Sequence, residues 1–226
     1  GSIKLPACVR SAAVYTSAYL LNALVPILIL PVLTNYVTHS EYGVISMFQV
    51  LVMITLPFVG FNSTAAIERQ YFNKSFEFSR YVLNVLFVLV LSMVLMIAVY
   101  LAGRETLQKY ASLNSYMLLF PPVYCFFHNI MEAALVIYRL KNKPISYGLL
   151  RIGRTVFEIA LSIVLVVQLK FASDGRIMAI MAAAILFGLF SLFFIKKEED
   201  LFKKISKEYI VDILKFGGPL IPHVIG

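Results

Sequence analysis

Charged residues and cysteines are scarce in this sequence. Only 14% of its 226 residues are charged and 60% are hydrophobic, whereas soluble domains carry about 25% charged and about 45–50% apolar residues. The two cysteines, Cys8 and Cys125, lie before the first apolar segment and inside a later one, so we expect neither a disulfide nor a CxxC metal site. The composition excludes an ordinary soluble domain and predicts an integral membrane protein.

Catalytic machinery is missing from the sequence as well. No loop between the apolar segments is long enough for a catalytic domain, and there is no nucleotide-binding, zinc or nucleophile-elbow motif. A membrane glycosyltransferase or polymerase is therefore the least favoured function, and we expect no enzymatic activity, no cofactor and no metal. The net charge of +8 reflects membrane topology rather than a nucleic-acid partner.

Six long apolar segments make up most of the chain. Each is about 20 residues or longer, which is the length that a helix needs to cross a bilayer. The sequence therefore predicts an all-α fold, with six transmembrane helices over residues 1–195. The predicted spans are residues 11–38, 42–62, 81–103, 116–138, 144–170 and 177–195.

Two further segments follow the sixth span. Residues 196–215 alternate apolar and charged side chains, which predicts a basic amphipathic helix on the membrane surface, with a soluble linker helix as the alternative. Residues 216–226 have the pattern of the start of a seventh span. Because a membrane helix does not end a few residues into the bilayer, we expect the native protein to continue beyond this segment.

Basic residues are distributed unequally between the two predicted sides of the membrane. Sixteen of the 20 Lys and Arg residues belong to the N-terminus, to the loops after the second and fourth spans with the adjoining part of the fifth, and to the segment after the sixth. Positive residues favour the cytoplasmic side. We therefore expect the N-terminus to lie in the cytoplasm.

Two prolines, Pro26 and Pro31, interrupt the first span. Each removes a backbone donor and clashes with the preceding turn, so we expect this helix to be kinked or broken. A functional hinge and an ordinary tolerated kink are both consistent with the pattern.

The fifth span combines a membrane-length apolar segment with three charges, Arg151, Arg154 and Glu158. At 100° per residue these fall within about 60° of one another on one helix face. A charge near the bilayer centre costs at least about 2.5–3.5 kcal/mol, so three on one face predict a wet interior that they line. The alternatives are that Arg151 extends to the headgroups and that Arg154 forms a structural ion pair with Glu158.

The fourth span carries a second polar face, with Cys125, His128, Glu132 and Arg139 in register. It runs opposite to the fifth span, and the link over residues 140–143 is short. Glu132 therefore falls at about the depth of Arg151, and His128 at about the depth of Arg154. The sequence predicts that these two faces meet across a cavity that opens to the cytoplasmic side.

A third polar face is predicted on the second span. Thr55, Asn62 and Arg69 recur every seven residues, so on one continuous helix they would lie on the same side.

Three patches of the chain resemble the polysaccharide (O-antigen, Wzx-type) flippases: YLLNALVPILILPVLTNYVTHSEYGVISMFQV, AIERQYFN and KFGGPLIPH. These flippases share a superfamily with multidrug and toxin extrusion (MATE) antiporters and lipid II flippases. The resemblance implies a transporter of two similar lobes, of which this chain is the first. Its substrate would be an undecaprenyl-pyrophosphate-linked oligosaccharide of O-antigen or lipopolysaccharide assembly. The transporter would flip this lipid across the bacterial inner membrane by alternating access, coupled to a proton or sodium gradient.

Candidate roles for the polar residues follow from this resemblance and from their chemistry. Arginine supplies permanently charged planar donors that suit phosphate oxygens, and buried acids or a histidine can carry a coupling proton. A MATE-type cation antiporter is the alternative function, but intramembrane acids would then be expected to outnumber bases. The pyrophosphate or sugar candidates are Arg151, Arg154, Arg69, Arg139 and Asn62, and the ion-coupling candidates are Glu158, Glu132 and His128.

Overall fold

A computed structural model describes residues 7–73, 75–111, 116–199 and 204–222. Within these ranges every regular element is helical, as the sequence predicts. Short 3₁₀ segments, Met117–Leu119 and Gly218–Leu220, precede α6 and follow α9, and a π-helical turn, Val164–Gln168, extends α7. The helices are α1 (Ala7–Tyr36), α2 (His39–Thr55), α3 (Ser63–Asn73), α4 (Phe78–Ala102), α5 (Arg104–Ala111), α6 (Phe120–Leu140), α7 (Pro144–Ile163), α8 (Ala172–Glu198) and α9 (Lys207–Gly217).

Three helical segments of the described chain are long and apolar enough to cross a membrane. They are Phe78–Ala102, Met117–Leu140 and Ala172–Glu198, which correspond to the predicted third, fourth and sixth spans. Large apolar side chains, including Leu91 and Leu95 of α4 and Phe193 of α8, remain exposed on the outside of the bundle. A continuous apolar exterior is what lipid contact requires.

The centre of the bundle is α6, which packs against α2, α3, α4, α7 and α8. Its side chains Ile130, Leu135 and Ile137 are fully buried, together with Tyr81 of α4 and Ile67 of α3. By contrast, α1 packs mainly along α7. The core therefore holds α6 and α7 in a fixed relation to the other helices.

The break expected in the first span is absent. One α-helix runs through Pro26 and Pro31, from Ala7 to Tyr36, so the helix is not broken, and a kink at the prolines stays a prediction. Packing along α7 is one means by which a membrane helix tolerates proline. The hinge role of the two prolines stays a prediction.

The second predicted span is interrupted over residues 56–62, between α2 and α3. Pro57 lacks the N–H that would continue the helical hydrogen bonding. Gly60, Phe61 and Asn62 then take positive φ angles of 88°, 49° and 50°, which a right-handed helix does not contain. The chain therefore turns between two shorter helices instead of continuing as one.

Close packing fixes this turn against α4. A Cβ atom at Gly60 would lie 2.4 Å from Leu89 Cδ2, so only glycine fits there without displacement. The Gly60 N–H donates to Ser92 Oγ at 2.8 Å, which satisfies a backbone donor that the broken helix leaves free.

The break also separates the three polar residues predicted to share one face. Thr55 is buried on α2, where its Oγ1 lies 2.6 Å from the Tyr100 hydroxyl. Asn62 lies in the turn and Arg69 on α3. The predicted seven-residue stripe is wrong, because it assumed a continuous helix.

The segment after the sixth span differs from the single helix predicted over residues 196–215. Helix α8 continues to Glu198, residues 204–206 are not helical, and α9 begins at Lys207. The amphipathic character of α9 is retained, since Tyr209 and Ile213 are buried against the bundle, where α9 packs on α3 and α4. Residues 200–203 of this segment, and residues 223–226 of the predicted seventh span, lie outside the described part of the chain.

Polar contacts attach this segment to α4. Arg80 Nε donates to the Lys204 carbonyl at 2.9 Å, and the Ser206 N–H donates to Asn84 Oδ1 at 2.9 Å. The hydroxyl of Tyr81 donates to Asp212 at 2.8 Å. Bonds of this kind to consecutive turns of α4 hold α9 against the bundle.

Candidate functional site

The turn between α6 and α7 places their charged side chains opposite one another. Lys141 and Asn142 form the turn, and Pro144 is the first residue of α7, where a missing N–H costs nothing. Arg151 Nη1 then donates to Glu132 Oε1 at 2.6 Å. The side chains are 14% and 27% exposed. The predicted match in depth between these two residues is confirmed.

The second matched pair lies one turn deeper. Arg154 Nη1 is 2.9 Å from His128 Nδ1, and Nη2 donates to the Tyr124 hydroxyl at 2.8 Å. Because a guanidinium group only donates, His128 Nδ1 is the acceptor and the ring proton is on Nε2. The rings of Tyr124 and His128 stack with their centroids 5.6 Å apart. Arg154 is thus buried between helices and does not face the exterior of the bundle.

The four-residue spacing suggested that Glu158 pairs with Arg154, but the two side chains have different partners. Its Oε1 accepts a hydrogen bond from Arg176 Nη2 at 2.9 Å, and Arg176 Nη1 donates to Ser162 Oγ at 2.6 Å. The alternative of an Arg154–Glu158 ion pair is therefore wrong. Arg154 turns towards α6, while Glu158 is within reach of the start of α8.

Arg176 was missed by the sequence analysis, which counted it only as a loop charge. A sequence pattern could have indicated this contact. Glu158 and Ser162 share one helix face, and after a tight turn a basic residue, Arg176, lies in the first turns of the next helix. Two antiparallel helices joined by a short connection bring such positions to the same depth. The short connection between α6 and α7 brings Glu132 and Arg151 together in the same way.

An open cleft of about 480 Å³ lies between α3, α6 and α7. Its polar lining contains three of the five predicted ligand-binding residues and two of the three ion-coupling candidates. Arg139 Nη2 donates to Glu68 at 2.8 Å, with both side chains nearly half exposed. The lining is formed by Leu56, Pro57, Asn62, Thr64, Ala65, Glu68, His128, Asn129, Glu132, Val136, Arg139 and Arg151.

Two asparagines line the cleft, and only one of them was predicted from the sequence. Asn62, a predicted ligand-binding residue, has a buried Nδ2 with no hydrogen-bond partner in the described part of the chain. Asn129 was not predicted; its Nδ2 donates to the carbonyls of Val59 and Cys125 at 2.9 and 3.0 Å. Asn129 therefore ties α6 to the turn that presents Asn62.

Three candidates lie outside the lining of the cleft. Arg154 lies behind His128, and Glu158 belongs to the cluster with Arg176. Arg69 forms an ion pair with Asp212 of α9, and its guanidinium carbon lies 4.2 Å from the centre of the Phe216 ring. Arg69 therefore holds α9 on α3.

Solved structures with a similar fold are membrane transporters. A MATE protein crystallised with MaD3S matches with a TM-score of 0.73 at 16% identity, over 97% of this chain and 53% of that one. An outward-facing multidrug-resistance MATE transporter of the MOP superfamily matches at 0.61 and 18% identity, over 95% and 50%. A MOP transporter from Pyrococcus furiosus, described as having a binding pocket of reverse polarity, matches at 0.65 and 15%, also over 95% and 50%. The described part of the chain therefore has a MATE-like fold, and three of its helical segments are long and apolar enough to cross a membrane.

Sequence similarity gives the particular family. The family model of polysaccharide biosynthesis proteins matches residues 8–226, and the chain belongs to that family. Lsg locus putative protein 1 of Haemophilus influenzae is 25% identical over 220 residues, which are 95% of this chain and 52% of that protein. This chain thus spans about half the length of the curated relative that it matches.

Proposed function

We propose that this chain is one lobe of a flippase that moves an undecaprenyl-pyrophosphate-linked oligosaccharide across the bacterial inner membrane. Membership of the polysaccharide biosynthesis family supports the class of substrate, and the MATE-like fold supports alternating access between two lobes. The second lobe would complete a site of which this chain supplies one wall. The distribution of Lys and Arg supports a cytoplasmic N-terminus.

The observation that carries this proposal is the arginine-containing cleft. Arg151, Arg139 and Asn62 line it, Arg154 lies directly behind His128, and the buried Asn62 Nδ2 has no hydrogen-bond partner among the described residues. Diphosphate oxygens are bound by planar, permanently charged guanidinium groups, and sugar hydroxyls are bound by amides. A lipid-linked diphosphosugar contains both kinds of group.

Coupling to a proton or sodium ion would use titratable side chains that line the cleft or lie near it. Glu132 and His128 line the cleft, and Glu158 lies further along α7 in contact with Arg176. We propose these three residues as the coupling groups. Each is already in contact with an arginine, so movement of that arginine would change the stability of a bound proton or cation.

Reconstitution in liposomes of this chain together with the proposed second lobe tests this function. A fluorescent lipid-linked oligosaccharide is incorporated, and its exchange between leaflets is followed with and without an imposed proton or sodium gradient. We expect gradient-dependent exchange that Arg151→Ala abolishes. Transport of organic cations in place of this lipid would instead favour a MATE-type antiporter, and exchange that is unaffected by Arg151→Ala would remove the cleft from the pathway.

A further inference from the structure

We infer that Glu132 is an internal competitor for the ligand anion at Arg151: the ligand's diphosphate displaces the Glu132 carboxylate, which then takes up one proton from solution. This inference rests on the proposed function and adds to it a physical link between ligand and proton. No covalent bond changes in this step. The diphosphate replaces a carboxylate as the partner of Arg151, and the proton neutralises the carboxylate that is released.

The geometry of the Arg151–Glu132 pair allows such an exchange. Only Nη1 contacts the carboxylate, at 2.6 Å from Oε1, and Nε is buried without a partner in the described part of the chain. A guanidinium group has five N–H donors, and its strongest complexes with oxyanions use two parallel bonds. The observed pair has a single hydrogen bond, so a diphosphate that makes two parallel bonds would bind the same arginine more strongly than Glu132 does.

The charges of the cleft favour the exchange. Arg151 is matched by Glu132, and Arg139 by Glu68, so each lining arginine is already paired with a carboxylate, and Arg154 adds positive charge from behind His128. A ligand that enters with its own negative charge is attracted more strongly once one of these carboxylates has been neutralised. The charged and titratable groups around Glu132 are His128 and Arg139 on its own helix, Arg151 and Arg154 on α7, and Glu68 on α3.

Burial identifies Glu132, rather than Glu68, as the group that responds. Glu68 and Arg139 have side chains 44% and 46% exposed, and exposed ion pairs are screened by water and salt. Arg151 and Glu132 are 14% and 27% exposed, so their charges are less screened, and a carboxylate displaced beside the bound diphosphate anion is neutralised by protonation. Ligand binding therefore takes up a proton at Glu132.

The experiment measures binding of geranyl-diphospho-N-acetylglucosamine to the purified protein in nanodiscs, from pH 5.5 to 8.5. This probe is a diphosphate diester, so its own charge does not change over that range. In the wild type we expect affinity to rise as pH falls, by at most about tenfold per pH unit for one proton taken up. Glu132→Gln should bind about tenfold more tightly at pH 8, with little dependence on pH.

Two further measurements make the outcome decisive. Glu208→Gln removes the same charge from an exposed position of α9, outside the cleft, and should behave as the wild type. Proton uptake on addition of the probe to the wild-type protein in weak buffer requires no variant, and should approach one proton per ligand near neutral pH.

Equal affinity and equal pH dependence in the wild type and Glu132→Gln, with no proton uptake, would overturn this inference and leave Glu132 as a structural tie between α6 and α7. That result leaves the proposed function intact, because the probe still binds. Absence of binding in every variant at every pH would instead contradict the proposed function itself, and the competition with it.

Discussion

Glu158 of α7 pairs with Arg176 of α8, and not with Arg154, which lies four residues earlier on its own helix. The two arginines consequently have different surroundings. Arg154 contacts His128, which lines the cleft. Arg176 instead forms a buried cluster with Glu158 and Ser162. This division separates a residue expected to act in transport from one expected to act in stability.

Removal of Arg176 should destabilise the protein. Its side chain is 5% exposed and that of Glu158 is 14% exposed, so Arg176→Ala leaves a buried carboxylate without its partner, at a cost of about 3–5 kcal/mol. The double variant Arg176→Ala/Glu158→Ala should recover much of the loss. Thermal unfolding in detergent measures both, and equal stability of the single and double variants would contradict the role of the pair.

Arg154 should matter for transport through both its charge and its shape. Its two Nη atoms contact His128 and Tyr124 separately. A lysine keeps the charge but can reproduce only part of the fork. We therefore expect export to decrease from wild type to Arg154→Lys and further to Arg154→Ala, as measured by complementation of a flippase-deficient strain. Full and equal activity of both variants, at matched expression, would make Arg154 a residue of the scaffold.

Two adjacent glycines at the end of α9 provide a matched comparison. A Cβ atom at Gly217 would lie 1.7 Å from the carbonyl oxygen of Phe61, whereas one at Gly218 would have no atom within 4 Å. Gly217→Ala should therefore displace α9 from the turn before α3 and cost about 1–3 kcal/mol. Gly218→Ala should be nearly neutral. Limited proteolysis of the segment around residues 204–217 and thermal unfolding compare the two; equal behaviour would contradict this packing.

The start of α2 should depend on pH through Glu41. Its carboxylate accepts hydrogen bonds from the backbone N–H and the hydroxyl of Thr38, both at 2.8 Å, and these bonds lower the pKa of Glu41 below its ordinary value of 4.5. A lowered pKa in the folded state means that the capping contribution is present above the ordinary value and is lost as pH falls through the folded one.

Hydrogen exchange of the first amides of α2 measures this effect. Glu41→Gln should exchange faster than the wild type at pH 7, because a neutral amide is a weaker acceptor than a carboxylate. Below the folded pKa the two proteins should become alike. Glu105→Gln, on the separate helix α5, is the control and should not change exchange in α2. A difference that persists unchanged in strong acid would contradict the cap.

Sequence reasoning predicted five of the twelve residues that line the cleft, and the central pair among them for a clear physical reason. Glu132 and Arg151 lie on helices joined by a short turn, so a fixed rise per residue is enough to place them at the same depth. Asn129 escaped prediction because its function is to hold a turn whose shape depends on Gly60 fitting beside Leu89. Such a fit is not visible in a periodic pattern.

The sequence by itself determined the class of protein, its helical fold, the resemblance to polysaccharide flippases and the pairing of α6 with α7. These depend on composition, segment length and spacing along one or two helices, which are local properties of the chain. Only the tertiary structure decided that Arg69 binds Asp212, that Glu158 binds Arg176 and that the second span breaks. A charged side chain has several partners within reach along the sequence, and the packing of distant helices selects one of them by leaving it closest and best shielded from water.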